Sequence, residues 1–159
     1  MYFMGIDPGS EQSAYAILTY ADGDFPYLII DADKVDNATL IKYLQDDEWG
    51  LGKLDVAIEG IQSYGMSVGR SVFDTAYMVG RLQQLCDMLG HTSTIYNRPE
   101  YAKAICGTQK ISDSILRQSL RLKYGDDVKK DDPLYMLRGS SDKRSAFAVI
   151  TYHIEGILR

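Results

Sequence analysis

The chain has 159 residues, 45% apolar and 25% charged, with a formal net charge of −5. That is enough to bury a core without staples, and no apolar run approaches the length of a membrane span, which sets aside disordered, disulfide-framed and membrane classes. Two cysteines without metal spacing, Cys86 and Cys106, read as buried thiols in a reducing compartment, so a single domain over residues 1–159 working in the cytoplasm is expected.

In chain order, "MYFMGID" is a short apolar run that ends in the turn chemistry of Pro-Gly-Ser. "SAYAILTYADGD" alternates like a strand and closes in Asp-Gly, a hairpin signal, and "FPYLIIDADK" resumes as a third strand. "DNATLIKYLQDDEW" has helical spacing at Leu40, Ile41 and Leu44, with Asp36 or Asn37 as its cap. "LDVAIEG" is near-continuously apolar, as a strand covered on both faces would be. A Gly/Ser-rich stretch leads into a long amphipathic helix over 71–89, ended by Gly90. "TSTIYN" is a fifth strand and "RPEYAKAICG" a short helix with Pro99 in its first turn. A helix over 111–124 follows, then a polar connection, "DDVKKDDPLYMLRGSS", expected to be mobile, and a closing helix from "DKRSAFAV" onward. Three antiparallel strands followed by helix-separated strands predict an α/β fold. Its mixed five-stranded sheet is flanked by helices, the topology of the ribonuclease-H-like fold.

Two of these strands end in an acid. If they are central and adjacent, Asp7 and Glu59 emerge at one edge of the sheet, where two ionised carboxylates repel unless a divalent cation sits between them. Oxygen ligands of this kind suit Mg²⁺, with Mn²⁺ as a substitute. Asp142, near the start of the closing helix, would complete a cluster able to hold two ions, one activating water and one stabilising the leaving oxygen of a phosphodiester. Each acid also has a plain alternative: Asp7 as a turn residue, Glu59 as a strand-end charge, Asp142 as a helix cap.

Three motifs in order carry a resemblance. "MGIDPGSEQSAYAIL" resembles the opening of the RuvC family of Holliday-junction resolvases. "DVAIEGIQSYGMSVGRSVFDTAYMVGRL" is similar to its second motif, and "DPLYMLRGSSDKRSAFAVITY" to the tail of phage-type members. The resemblance spans nearly the whole chain. It implies a Mg²⁺-dependent endonuclease of branched DNA, most specifically of four-way junctions, with Asp7, Glu59 and Asp142 as catalytic metal ligands and water as the nucleophile. It also implies a homodimer, whose twofold axis matches two symmetric cuts; helix 71–89 is the natural interface element, or its apolar rows are satisfied entirely by its own sheet. The bacterial pattern has a further acid three residues after Asp142, where this chain has Ser145, so the second ion is in question.

Residues 1–60 hold twelve acids against three bases, whereas residues 98–144 hold eleven bases against seven acids. Lys110, Arg117, Arg121, Lys143 and Arg144 are therefore candidate phosphate contacts, or simply a basic solvated face. Tyr64, in the Gly/Ser-rich stretch, is a candidate for stacking on an unpaired base, or plain surface. His91 reads as loop surface and His153 as helix surface. Sugar kinases and actin-like ATPases open similarly but need a second domain that this length cannot supply. A broader flap or fork nuclease and a non-catalytic DNA binder remain as alternatives.

Overall fold

The computed structural model describes residues 1–21, 26–62 and 67–158. In chain order its elements are β1 (Tyr2–Asp7), β2 (Gln12–Tyr20), β3 (Tyr27–Asp36), α1 (Asn37–Asp46), β4 (Leu54–Gly60) and α2 (Arg70–Leu89). There follow β5 (Thr92–Asn97), α3 (Arg98–Cys106), α4 (Asp113–Tyr124), a 3₁₀ turn at Tyr135–Leu137 and α5 (Ser141–Ile157). The sheet runs β3-β2-β1-β4-β5. β1 pairs antiparallel with β2, and β2 with β3, while β1–β4 and β4–β5 are parallel. This is the mixed five-stranded, ribonuclease-H-like sheet that the element order predicts. The Asp-Gly hairpin signal at 22–23 and Tyr64 both lie outside the described residues.

Strand periodicity divides the core in two. On β1, Met4 and Ile6 face α1 and α2, packing with Val56 and Ile58 of β4 and with Leu82 and Cys86. Phe3 and Ala57 face the other way, among Phe147, Ile150, Tyr101 and Leu120 of the α3–α5 layer. With a period of two, Asp7 and Glu59 fall on that second face, the face α5 covers. The Ile6–Ile58 pair in the parallel β1–β4 register brings their C-terminal ends side by side. Gly5 permits a close approach: a Cβ there would lie 1.9 Å from the Ala146 carbonyl oxygen of α5. The helix therefore presses directly on the β1 backbone two residues before Asp7.

Asp36 caps α1 by accepting from the Thr39 N–H at 2.9 Å. The cap of α5 is Ser140, which accepts from the Asp142 N–H at 3.2 Å, and this frees Asp142 itself from the capping role.

Two expectations are corrected. The connection after α4 is anchored. Leu134 and Leu137 are buried. The Asp132 carboxylate accepts from the Val128 and Lys129 N–H groups. His153 is buried at 6% exposure, not on the helix surface, because its position shares the inner face of α5 with Ile150 and Ile154. Its Nδ1 is 2.9 Å from the Tyr96 hydroxyl and its Nε2 3.1 Å from Asp55. His91 is half-buried, and its Nδ1 accepts from the Leu54 N–H at 3.2 Å.

Candidate active site

Asp7 leaves the end of β1 into a tight turn. A Cβ on Gly9 would lie 2.3 Å from the Gln12 carbonyl oxygen, so the turn closes only without one. Its N–H donates to Ser13 Oγ at 3.3 Å, and Asn37 ties down the turn by donating to the Gly9 carbonyl at 3.0 Å. The turn, Lys34 and Asp142 line an open polar cleft of about 350 Å³, with Asp7 in its wall.

Lys34 reaches this cleft across the sheet. Asp7 pairs with Ala14, and Ala14 with Lys34, so the three stand in one row on one face. The small Ala14 leaves the Lys34 stem free to extend over it. Its Nζ lies 2.6 Å from Asp142 Oδ2, with both side chains a little over a third exposed.

Glu59 is more enclosed, with its side chain 12% exposed. Tyr101 donates to Oε2 at 2.8 Å. Arg98, the first residue of α3, sets Nη1 at 3.6 Å from Oε1. The same guanidinium donates to Ser145 Oγ at 3.2 Å and to Asp113 Oδ1 at 3.3 Å. The parallel register explains this meeting. Gly60 pairs with Asn97, so the residue after β5 emerges at the same sheet edge as Glu59. Asn97 and Glu100 form a capping box that fixes the start of α3.

Asp7 differs from its neighbours. Among the described residues, no donor or cation stands within hydrogen-bond or ion-pair distance of its carboxylate. Burial pushes its pKa from 3.8 up to about 8, and the charges of Glu59 and Asp142 add to that rise, against the pull of Arg98 and Lys34. Burial also raises Glu59, opposed by Arg98 and the Tyr101 hydrogen bond. A carboxylate held this way has cations nearby but, among the described residues, none directly against it. The donor set is all hard oxygen, which fits Mg²⁺ or Mn²⁺ in kind. Among the described residues, however, no three His, Cys, Asp or Glu side chains are already gathered as a metal-binding group. The reason is on either side of Asp7: Asp142 is drawn to Lys34, and Glu59 to Arg98 and Tyr101.

Among the described residues, four of the five basic candidates have partners within the chain. Arg117 holds Asp127 with Nε at 2.6 Å and Nη2 at 2.8 Å, and Arg121 pairs with Asp126 and, at 3.6 Å, with Asp127. Lys143 donates to the Met136 carbonyl at 2.7 Å and Arg144 to that of Leu137 at 3.2 Å. An acid pair directly after the α4 terminus and carbonyls at the end of the 3₁₀ turn claim these donors first. Lys110 is exposed in the loop between α3 and α4. Lys34, Arg98 and Tyr101, absent from the sequence reading, stand at the site instead.

No protein-family model matches the chain, and no curated protein matches it. Solved structures do. Thermus thermophilus RuvC in complex with a Holliday junction substrate superposes with a TM-score of 0.73 at 14% identity, over 97% of this chain and 93% of that one. A second Thermus thermophilus RuvC structure gives 0.70 at 16% identity over the same shares. The fowlpox virus Holliday junction resolvase gives 0.60 at 15% identity over 99% of both chains. At such identities the likeness establishes the fold, and the fold is RuvC-like.

Proposed function

We propose that this chain is a divalent-metal-dependent endonuclease that hydrolyses phosphodiester bonds in branched DNA, with the four-way junction as its principal substrate. The observation that carries the reading is Asp7, half-buried and without a partner among the described residues, beside Glu59 and Asp142 at the open end of a RuvC-like sheet. Three carboxylates so placed repel a phosphate, and the two cations described at the site, Lys34 and Arg98, leave Asp7 unmatched.

Asp7, Glu59 and Asp142 would hold Mg²⁺, which when bound supplies Lewis-acid polarisation of the scissile phosphate and a more acidic attacking water. The remaining work belongs to side chains. Asp142 gives up Lys34 to join the set, and the released ammonium faces the cleft, where it can take a phosphate oxygen. Tyr101, whose hydroxyl burial keeps protonated, holds the Glu59 carboxylate in orientation. Among the described residues Lys110 is the basic candidate without a partner in the chain and is proposed for backbone contacts, and Tyr64 for stacking.

Two symmetric cuts call for two copies of the site. On α2, Phe73, Tyr77 and Met88 are 53%, 68% and 75% exposed, and a groove of about 580 Å³ runs between α1 and α2. A second copy seated there gives a homodimer. Among the described residues no helix is long and apolar enough to cross a membrane, and the proposed place of work is the cytoplasm.

The test is cleavage of a labelled four-way junction, a fork and a linear duplex in Mg²⁺ and Mn²⁺, beside Asp7→Asn. Paired cuts in the junction alone, lost in the variant, support resolution. Equal cutting of fork and junction points to a general debranching nuclease. Absence of metal-dependent cutting in every substrate rejects the proposal.

A further inference from the structure

Arg98 connects more of the site than any other side chain. It begins at the N-terminus of α3 and reaches the ends of three other elements: Glu59 on β4, Asp113 at the start of α4 and Ser145 on α5. Its side chain is 32% exposed, so much of the guanidinium's solvation comes from these partners. Bridging two carboxylates from separate elements at one sheet edge is what a bound cation would do there. We infer that Arg98 is a built-in second cation, so that the acid cluster takes a single divalent ion, centred on Asp7. This rests on reading the site as a metal-dependent nuclease centre.

Three observations support it independently of one another. A guanidinium carries five donors, no lone pair and a charge that protein environments do not remove. It therefore cannot ligate an ion and repels one wherever it sits. Ser145, one turn along α5 from Asp142 and 1% exposed, supplies a neutral hydroxyl whose oxygen already accepts from Arg98. No anionic ligand stands at that position. Both Glu59 oxygens are approached, Oε1 by Arg98 and Oε2 by Tyr101, whereas Asp7 has no partner among the described residues and opens on the cleft. Room and unmatched charge coincide on the Asp7 side, while the Arg98 side is already occupied. In the reaction, a fixed guanidinium beside the acids would neutralise charge developing on a phosphate oxygen, though it cannot activate water.

The experiment is calorimetric titration with Mn²⁺, which counts ions without needing activity. The wild-type chain is expected to bind one ion per chain, and Asp7→Asn to lose it. Arg98→Met combined with Ser145→Asp removes the guanidinium and supplies an anionic ligand, and is expected to bind two. Ser145→Asp alone keeps Arg98, which pairs with the new carboxylate, and is expected to stay at one ion with a raised melting temperature. Two ions in the wild type, or in Ser145→Asp alone, overturn the role of Arg98 and leave the metal-site reading intact. One ion in the double variant, shown folded by circular dichroism, likewise overturns it. If the double variant does not fold, the single substitution still decides. No binding to the wild-type chain removes the metal-site reading and this inference together.

Discussion

The acidic end of the sheet and the joint between α4 and the connection that follows it both set carboxylates beside arginines, with opposite results. At the joint, Asp127 is 2% exposed, yet Arg117 grips it through two nitrogens and Arg121 stands at 3.6 Å. The hydrogen bonds from Arg117 hold its pKa below 3.8. At the sheet end, Arg98 and Lys34 are shared among Glu59, Asp113 and Asp142, and Asp7 rises to about 8. Charges matched within the chain hold structure together. Charges left over keep an affinity for something from outside, and the chain has concentrated its surplus at one edge.

The sharpest break of this contrast is Asp7→Asn. It is expected to reduce metal-dependent cutting of a junction to background, while the metal-free chain melts higher than wild type at pH 8, because a buried charge is gone. Equal loss of activity and stability would make Asp7 a structural residue. Next is Gly5→Ala, whose methyl group collides with the Ala146 carbonyl and drives α5 off β1. A cost of about 3 kcal/mol in denaturant unfolding is expected, with a lower Mn²⁺ affinity as Asp142 moves from Asp7. At the joint, Arg117→Met leaves Asp127 buried without its main partner. It is expected to lower the melting temperature by several degrees while sparing Mn²⁺ affinity.

The two regions also separate by pH. Because the folded-state pKa of Asp7 is raised, the metal-free folded chain holds a proton that the unfolded chain releases. Stability from this group therefore declines as pH rises from 3.8 to about 8. Asp127 is depressed, so its stabilisation is present above 3.8 and lost as pH falls through its lower folded value. Denaturation curves of Asp7→Asn and Asp127→Asn across pH 2–9 should each flatten one limb only. The smallest effect belongs to Lys34→Met. Freeing Asp142 from a surface pair is expected to tighten Mn²⁺ binding by about two- to fivefold.

Much of this was legible in the sequence, and the misses have physical causes. Strand alternation and acids at strand ends were enough for Asp7 and Glu59, since a period of two fixes the face once the core is known. Lys34 and Arg98 join them through strand pairing, which local patterns do not carry. Arg98 nonetheless had a signal: a base directly after a strand whose parallel neighbour ends in an acid. Arg117 and Arg121 keep side chains 45% and 38% exposed, and their pairing with Asp126 and Asp127 depends on how the chain turns after Gly125, which helical spacing does not carry. His153 was placed by residue type when its spacing with Ile150 and Ile154 already set it inward.

The contact at Gly5 also orders events in time. Asp142 joins Asp7 and Glu59 only once α5 has docked along β1, a closure spanning nearly the whole chain. A ribosome-bound chain with β1 to β5 formed but residues 141–157 still in the exit tunnel has two of its three acids and no cleft. A site wired this way stays incomplete until synthesis has passed the residues that bring Asp142 to it.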